Sequence, residues 1–180
     1  MLTIVIPGRE MFDEASNEFV YSKEVTLQLE HSLVSLSKWE AKWNKPFLSP
    51  DTTKTDEEIL DYVRCMTVTQ NISKDVYYRL SRENIEKINE YINLPMTATS
   101  FKDQNSRGNR EIVTAEIIYY WMISLNIPME CQKWHLNRLL TLIKVCSIKN
   151  SPSKKMSKRE IMNQNRALNA SRKKAWGTKG

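Results

Sequence analysis

The chain has 180 residues, of which 41% are hydrophobic, and a net charge of +6 at pH 7. Four glycines are too few for a many-stranded barrel or sandwich, and no apolar stretch approaches the ~20 residues of a membrane span. The charge is uneven: residues 151–180 hold nine Lys/Arg and one Glu, whereas residues 1–150 hold 18 basic and 20 acidic residues. We therefore predict a nearly neutral folded body over residues 1–150 and a cationic arm over residues 151–180.

The cysteines and the first residues indicate the compartment. Cys65, Cys131 and Cys146 are odd in number and widely spaced, which is typical of free thiols in a reducing environment. The first residues carry no basic region, and their apolar run of about six residues is too short for a signal peptide. We expect a cytosolic protein without disulfides.

Short segments near the N-terminus have the pattern of β-strands. Residues 2–6 form an apolar run closed by a Pro-Gly pair, and residues 25–30 alternate apolar and polar side chains. Residues 19–21 favour a third short strand. These patterns predict a small antiparallel β element within residues 1–31.

From residue 32 the apolar spacing becomes helical, which predicts a helical core over residues 32–149. Thr55 and Glu58 form a capping box that opens one of its helices. The apolar stripe of that helix is predicted to be Ile59, Leu60, Val63 and Met66. Other helices of this part are predicted over residues 32–44, 73–80 and 81–92.

The most apolar segment predicts the centre of the fold. Residues 111–126 are apolar on nearly all sides, as in a helix at the middle of a core. Pro128 separates this helix from a second one over residues 129–148, and the short connection favours an antiparallel hairpin. A polar loop over residues 102–110 precedes the pair. The predicted fold is mainly α, with a small N-terminal antiparallel β element and a helical core around this αα-hairpin.

The arm has a helical pattern of its own. Ser157 and Glu160 form a second capping box, which predicts a helix over residues 158–175. Ile161, Leu168 and Ala175 recur every seven residues as one narrow apolar stripe. Such a stripe is too small to hold a helix alone in water, so we expect the arm to fold onto a partner or onto the body.

Two residues at helical spacing, Cys131 and His135, raise the question of a metal site. Zinc needs three or four ligands, and Cys146 lies about three helical turns away from His135. We therefore interpret Cys131 and Cys146 as core thiols and His135 as a helix-surface or interface residue. No metal and no cofactor are predicted.

No motif marks a catalytic centre. The chain has no nucleophile elbow and no phosphate-binding loop. Carboxylate pairs such as Glu57/Asp61 stand at helical spacing, where solvated charge is the usual state. We predict that the protein is not an enzyme.

The arm is the predicted partner-binding element. Cations together with an aromatic residue suit phosphate contact and stacking in a nucleic-acid complex, and the alternative is docking on an acidic protein. The predicted contact residues are Lys154, Lys155, Lys158, Arg159, Ile161, Arg166, Leu168, Arg172, Lys173, Lys174 and Trp176. In the body, Trp39 and Trp43 stand four residues apart beside Leu36, which favours a core position over a binding platform.

Three stretches carry a resemblance to a known family: residues 29–43 (LEHSLVSLSKWEAKW), 117–128 (IIYYWMISLNIP) and 134–145 (WHLNRLLTLIKV). They resemble small proteins of the structural-gene module of tailed bacteriophages, close to tail assembly chaperones. The resemblance covers most of the chain. It implies a mainly helical protein of the host cytoplasm that binds tape measure protein and tail-tube subunits during assembly. It implies no catalytic or ligand residues.

Two other functions remain open from the sequence. One is a nucleic-acid-binding protein of the same phage that uses the arm. The other is a structural component of the virion, such as a connector or tail-completion protein. No membrane partner is expected, and the oligomeric state is not predicted.

Overall fold

A computed structural model describes residues 1–13, 17–101, 112–151 and 158–177. The chain divides into two compact units, Met1–Ser147 and Ile148–Gly180. The described residues are mainly helical with a small antiparallel β element at the N-terminus, as the sequence predicts. In chain order the regular elements are β1 (Leu2–Ile6), β2 (Arg9–Asp13), β3 (Glu18–Ser22), β4 (Val25–Leu29), α1 (Leu33–Trp43), α2 (Asp56–Met66), a 3-10 helix (Lys74–Arg79), α3 (Arg82–Asn93), α4 (Ala115–Ser124), a second 3-10 helix (Met129–Lys133), α5 (Leu136–Asn150) and α6 (Lys158–Trp176).

The four strands form a two-stranded ribbon with one interruption. β1 pairs with β4 and β2 pairs with β3, both antiparallel. The register is continuous across the two pairs, because Ile6 lies opposite Val25 and Arg9 lies opposite Ser22. At the interruption, the Arg79 guanidinium donates hydrogen bonds to the carbonyl oxygens of residues 7 and 23, which lie on the two opposite sides of the ribbon. The predicted strands are confirmed, and β2 is one that the sequence pattern did not indicate.

One face of the β1–β4 pair is buried. Ile4, Ile6, Leu27 and Leu29 are each at most 3% exposed, while the alternating residues between them are exposed. β4 also pairs on its other side with the chain that leaves α2, because the amide of Val68 donates to the Gln28 carbonyl oxygen at 2.8 Å. Period-2 alternation therefore positions the ribbon against the helices.

Helix α1 lies at the junction of two cores. Ser32 caps it through a reciprocal hydrogen-bond pair with Ser35, and Asn44 ends it in the left-handed conformation with φ 52°. Trp39 is fully buried in the first core with the ribbon, α2 and α3, whereas Leu33 and Leu36 lie in the second core with α4 and α5. Both helices of the predicted hairpin thus contribute to one core, and α1 completes it.

Three predicted helices differ in the structure. Residues 74–79 form a 3-10 helix. Helix α4 begins only at Ala115, and Ile112 is exposed, so the prediction of a helix from residue 111 is wrong at its start for the residues described. The single helix predicted over residues 129–148 is also wrong: it is a 3-10 turn, a break at Trp134 and then α5.

Tertiary pairing explains the break before α5. The amide of Leu136 donates to the His31 carbonyl oxygen at 2.7 Å, and Ser32 forms an isolated antiparallel bridge with His135. Trp134 is accordingly extended, with ψ 161°. Helical spacing continues through these residues in the sequence, and a β-type contact with the start of α1 overrides it.

The capping box at Thr55 is confirmed, and so is the predicted apolar stripe of α2 except at Ile59, since Leu60 packs against the first core. The Thr55 hydroxyl accepts from the amide of Glu58 at 3.3 Å, and the Thr55 amide donates to the Glu58 carboxylate at 2.8 Å. Ile59 is 43% exposed, whereas Tyr62 is buried together with Val63 and Met66. The core therefore includes Tyr62, which the sequence pattern did not place there, and leaves out Ile59.

In the second unit, α6 covers Lys158–Trp176, which confirms the predicted helix. The capping residue Ser157 lies outside the described residues, as does the predicted loop over residues 102–110. Within the described ranges, no helix combines the length and the apolar character needed to cross a bilayer.

Candidate functional site

Helix α6 carries nine of the eleven predicted partner-binding residues. These nine are exposed along the helix: Lys158, Arg159, Ile161, Arg166, Leu168, Arg172, Lys173, Lys174 and Trp176. Lys154 and Lys155 lie outside the described residues. Among the exposed side chains, the apolar Leu168 and Trp176 are 46% and 77% accessible. Helix α6 therefore exposes cations and apolar groups together.

The helical period places two of these residue types on opposite sides of α6. Ile161 and Leu168 are seven residues apart on one side of the helix. Arg159 and Arg166 follow the same spacing but precede them by two residues, which is about 200° around the axis. One flat partner surface cannot contact both stripes at once. The helix can therefore make two separate contacts, one between Ile161 and Leu168 and an apolar surface, and one between Arg159 and Arg166 and an anionic surface.

A groove in the first unit has no counterpart in the sequence prediction. It has a volume of about 660 Å³ and lies between the first turns of α2, the 3-10 helix at residues 74–79 and α3. Its lining residues are Asp56, Glu57, Ile59, Leu60, Tyr77, Tyr78, Leu80, Ile85 and Asn89. Both charged lining residues are acidic. The only sequence signal for this groove is Ile59, an apolar residue in the first turn of an otherwise acidic helix start.

Two histidines meet in the interior, against the prediction for one of them. His135 is 5% exposed and is neither on a helix surface nor at the chain's outer face, so its predicted placement is wrong. Its ring packs edge-on against His31, with 5.1 Å between ring centroids, and its Nε2–H donates to the Tyr91 carbonyl oxygen at 3.0 Å. His31 Nδ1 shares a 2.6 Å hydrogen bond with the Tyr62 hydroxyl. The pair joins α1, α2, α3 and α5.

The electrostatics of this histidine pair favour the neutral rings. Burial lowers the pKa of His31 to about 4, and repulsion from His135 adds to the effect. Burial likewise lowers the pKa of His135, although its bond to Tyr91 opposes the shift. Nearby, Glu30 accepts a hydrogen bond from the Tyr91 hydroxyl at 2.7 Å and pairs with the Met1 ammonium at 3.1 Å. Among the described residues, His135 Nδ1 is buried without a hydrogen-bond partner, whereas its Nε2–H and the Tyr62 and Tyr91 hydroxyls are paired within the cluster.

Buried carboxylates hold α1 to α2. Asp61 is 4% exposed, so the expectation that the Glu57/Asp61 pair is solvated is wrong for Asp61. It accepts hydrogen bonds from Lys42 at 2.6 Å and from the Trp43 indole at 2.9 Å. Burial alone would raise its pKa, but these bonds and the charges of Lys42 and Arg64 outweigh burial and lower it.

The two other buried acids, Glu58 and Glu40, also accept hydrogen bonds from neighbouring groups. Lys45, and then the Thr55 amide, lower the pKa of Glu58. Burial raises the pKa of Glu40, whose oxygens accept from the amides of Phe47 and Ala115 at 2.8 and 2.7 Å. Each carboxylate closes a contact between elements.

The predicted core tryptophan is confirmed. Trp39 is fully buried, and its indole donates to the Glu58 carbonyl oxygen at 2.7 Å. Trp43 is half-buried at the edge of the same core. Neither forms an open binding platform.

The cysteines do not assemble a reactive centre. Cys131 is buried, as predicted for a core thiol, while Cys146 and Cys65 are half-buried. Burial, and then the nearby Asp61 charge, raise the pKa of the Cys65 thiol, which disfavours the thiolate nucleophile. Cys131 and His135 are on different elements, and among the residues described no three His, Cys, Asp or Glu side chains are grouped to hold a metal ion.

Comparison of the chain with protein-family models, with curated proteins and with solved structures finds no match in any of the three.

Proposed function

We propose that this chain is a non-enzymatic binding protein of tailed-bacteriophage assembly, acting in the host cytoplasm as a tail assembly chaperone. Its partners in this role are the tape measure protein, the tail-tube protein or both. The proposal extends the sequence resemblance and is supported by one structural observation above all, the exposure of α6. An amphipathic helix with exposed apolar and cationic side chains is a common element for reversible protein contacts.

The body adds support from its internal chemistry. His31, His135 and Asp61 are buried and occupied by internal hydrogen bonds. Such groups hold elements together and offer no accessible acid, base or nucleophile to a substrate. In a binding role, the exposed side chains of α6 contact the partner, and the buried polar groups of the body stabilise the fold.

The two-sided character of α6 favours a protein partner. A nucleic-acid ligand would engage the cations and leave Ile161 and Leu168 in water. A long helical client such as a tape measure offers both acidic and apolar side chains, and exposed charge makes the contact reversible and sensitive to salt.

The test is recovery of partners from infected cells on the tagged full-length chain, with and without nuclease, followed by mass spectrometry. The same recovery is carried out with a full-length triple variant that lacks three of the arm's cations, Arg166→Gln, Arg172→Gln and Lys174→Gln. We expect tape measure or tube protein, resistant to nuclease and reduced in the variant. Recovery of nucleic acid alone, lost on nuclease treatment, would contradict the proposal.

A second candidate, nucleic-acid binding, is favoured by Trp176. This indole is 77% exposed, one turn beyond Arg172, where a base could stack beside a phosphate contact. Fluorescence anisotropy of a labelled single-stranded oligonucleotide separates the two candidates. A nucleic-acid binder loses affinity on Trp176→Ala and shows a steep dependence of log K on log salt. The chaperone proposal predicts weak binding that is unaffected by Trp176→Ala.

A further inference from the structure

The groove between α2, the 3-10 helix at residues 74–79 and α3 is not filled by any described residue of its own unit. Ile59 and Tyr78 line it and remain 43% and 69% exposed. Leu60, Leu80 and Ile85 line the same space. Exposed apolar side chains around a concave surface mark a site for another apolar surface.

The charge of the groove restricts what can bind there. Both charged lining residues, Asp56 and Glu57, are exposed carboxylates in the first turn of α2. The fitting ligand is therefore a segment with apolar side chains on one side and a cation at the edge of that side.

Helix α6 has this chemistry. Ile161 and Leu168 lie on one side of the helix, about 10 Å apart along the axis. Arg172 follows Leu168 by four residues, so it stands next to the apolar stripe and not on the opposite side with Arg159. Docking of the stripe would bring the Arg172 guanidinium to the acidic edge of the groove.

We propose that this groove binds the α6 helix of a second copy of the chain. The first 150 residues carry a net charge of −2 and the last thirty carry +8, so the body of one copy attracts the arm of the other. A reciprocal exchange forms two identical contacts related by a twofold axis, which is the commonest symmetry of protein dimers. The apolar stripe is then covered, and the opposite stripe with Arg159 and Arg166 stays available to an acidic partner.

The proposal concerns the purified chain alone and does not depend on the phage role. Sedimentation velocity of the full-length protein, over about a hundredfold range of concentration, should show a monomer–dimer equilibrium that weakens between low and high salt. The arm variant is Ile161→Ser with Leu168→Ser, and the groove variant is Tyr78→Ser. We expect each to weaken dimerisation by about tenfold or more, as expected for loss of buried apolar contacts.

Two exposed residues provide matched controls. Met162 is on α6 but about 100° around the axis from Ile161, and Tyr120 on α4 is 66% exposed and outside the groove. Met162→Ser and Tyr120→Ser should leave the dimerisation constant within about twofold of the wild type. Far-ultraviolet circular dichroism of every variant verifies that the helices are retained.

Mixing the arm variant with the groove variant gives the decisive result. The mixture retains one intact arm and one intact groove, so a heterodimer with a single contact should form where neither variant dimerises alone. A monomer at all concentrations, including one whose arm lies on its own body, overturns the proposal. So does dimerisation that survives both variants, or a mixture that behaves as the separate variants do.

Discussion

Acidification should destabilise the body through its buried histidine pair. The pKa of His31 is about 4 in the folded chain, and its ordinary value is 6.5. Between these two pH values, His31 is protonated in the unfolded chain and neutral in the folded chain. The contribution of His31 is fully present above about pH 6.5 and is lost as the pH falls towards 4. The difference in pKa corresponds to about 3 kcal/mol in total, of which about 2 kcal/mol is lost between pH 7 and pH 5.

Other groups modify this dependence in known directions. The lowered pKa of His135 adds a loss in the same range. Asp61 and Glu58 have lowered pKa values, so their contributions decline only at more acidic pH. The raised pKa of Glu40 acts in the opposite sense, because the folded chain takes up that proton first.

Urea unfolding followed by tryptophan fluorescence measures this effect. With a slope of about 2 kcal/mol per molar urea, a loss of about 2 kcal/mol moves the midpoint down by about 1 M between pH 7 and pH 5. The control is His31→Gln, in which the change of midpoint with pH should shrink by at least half, whatever its absolute stability. The other groups are common to both proteins and cancel in this difference. A midpoint independent of pH in the wild type, or an equal pH dependence in His31→Gln, would show that His31 does not cause the loss of stability in acid.

Three further outcomes are expected. Asp61→Asn should lower the free energy of unfolding by about 2 kcal/mol, because Lys42 loses its charged partner, which is buried. Glu57→Gln, in the exposed first turn of α2, should change the free energy of unfolding by less than about 1 kcal/mol. Urea unfolding of both variants measures the contrast, and equal effects would contradict the role of Asp61. Gly8→Ala places a Cβ 2.7 Å from the Ser22 carbonyl oxygen and should destabilise the ribbon by about 2 kcal/mol in thermal unfolding, with Val5→Ala as a milder control at an exposed ribbon position. Mass spectrometry of purified virions should find the chain absent, because a chaperone leaves the finished tail; a fixed copy number per particle would instead indicate a structural component.

Local sequence patterns were sufficient to predict several of the strands and helices. An apolar run closed by a Pro-Gly pair located β1, alternation located β4, and the capping box at Thr55 located the start of α2. The second capping box pattern, Ser157 with Glu160, located α6. In each case the signal lies within a few neighbouring residues, and burial of one face is the consequence.

Long-range contacts account for what the sequence did not show. The break before α5 depends on pairing between His31–Ser32 and His135–Leu136, more than a hundred residues apart. The burial of Asp61 likewise depends on Lys42 and Trp43 of another helix. No local periodicity encodes such partners, so a histidine and a carboxylate that look solvated in sequence became interior groups.

The candidate site divides in the same way. The cations and apolar stripe of α6 follow from the sequence, because helical spacing alone places them. The groove at Ile59 and Tyr78 does not, because three elements separated by intervening chain must come together to form it.

In the proposed role, the cations of α6 bind an acidic protein partner. Calorimetric titration of the purified full-length chain into purified tape measure protein, with the Arg166→Gln, Arg172→Gln, Lys174→Gln variant in parallel, measures this contact. We expect binding by the wild type that weakens with added salt, and about tenfold weaker binding or more for the variant. Equal affinity for the two proteins would contradict it.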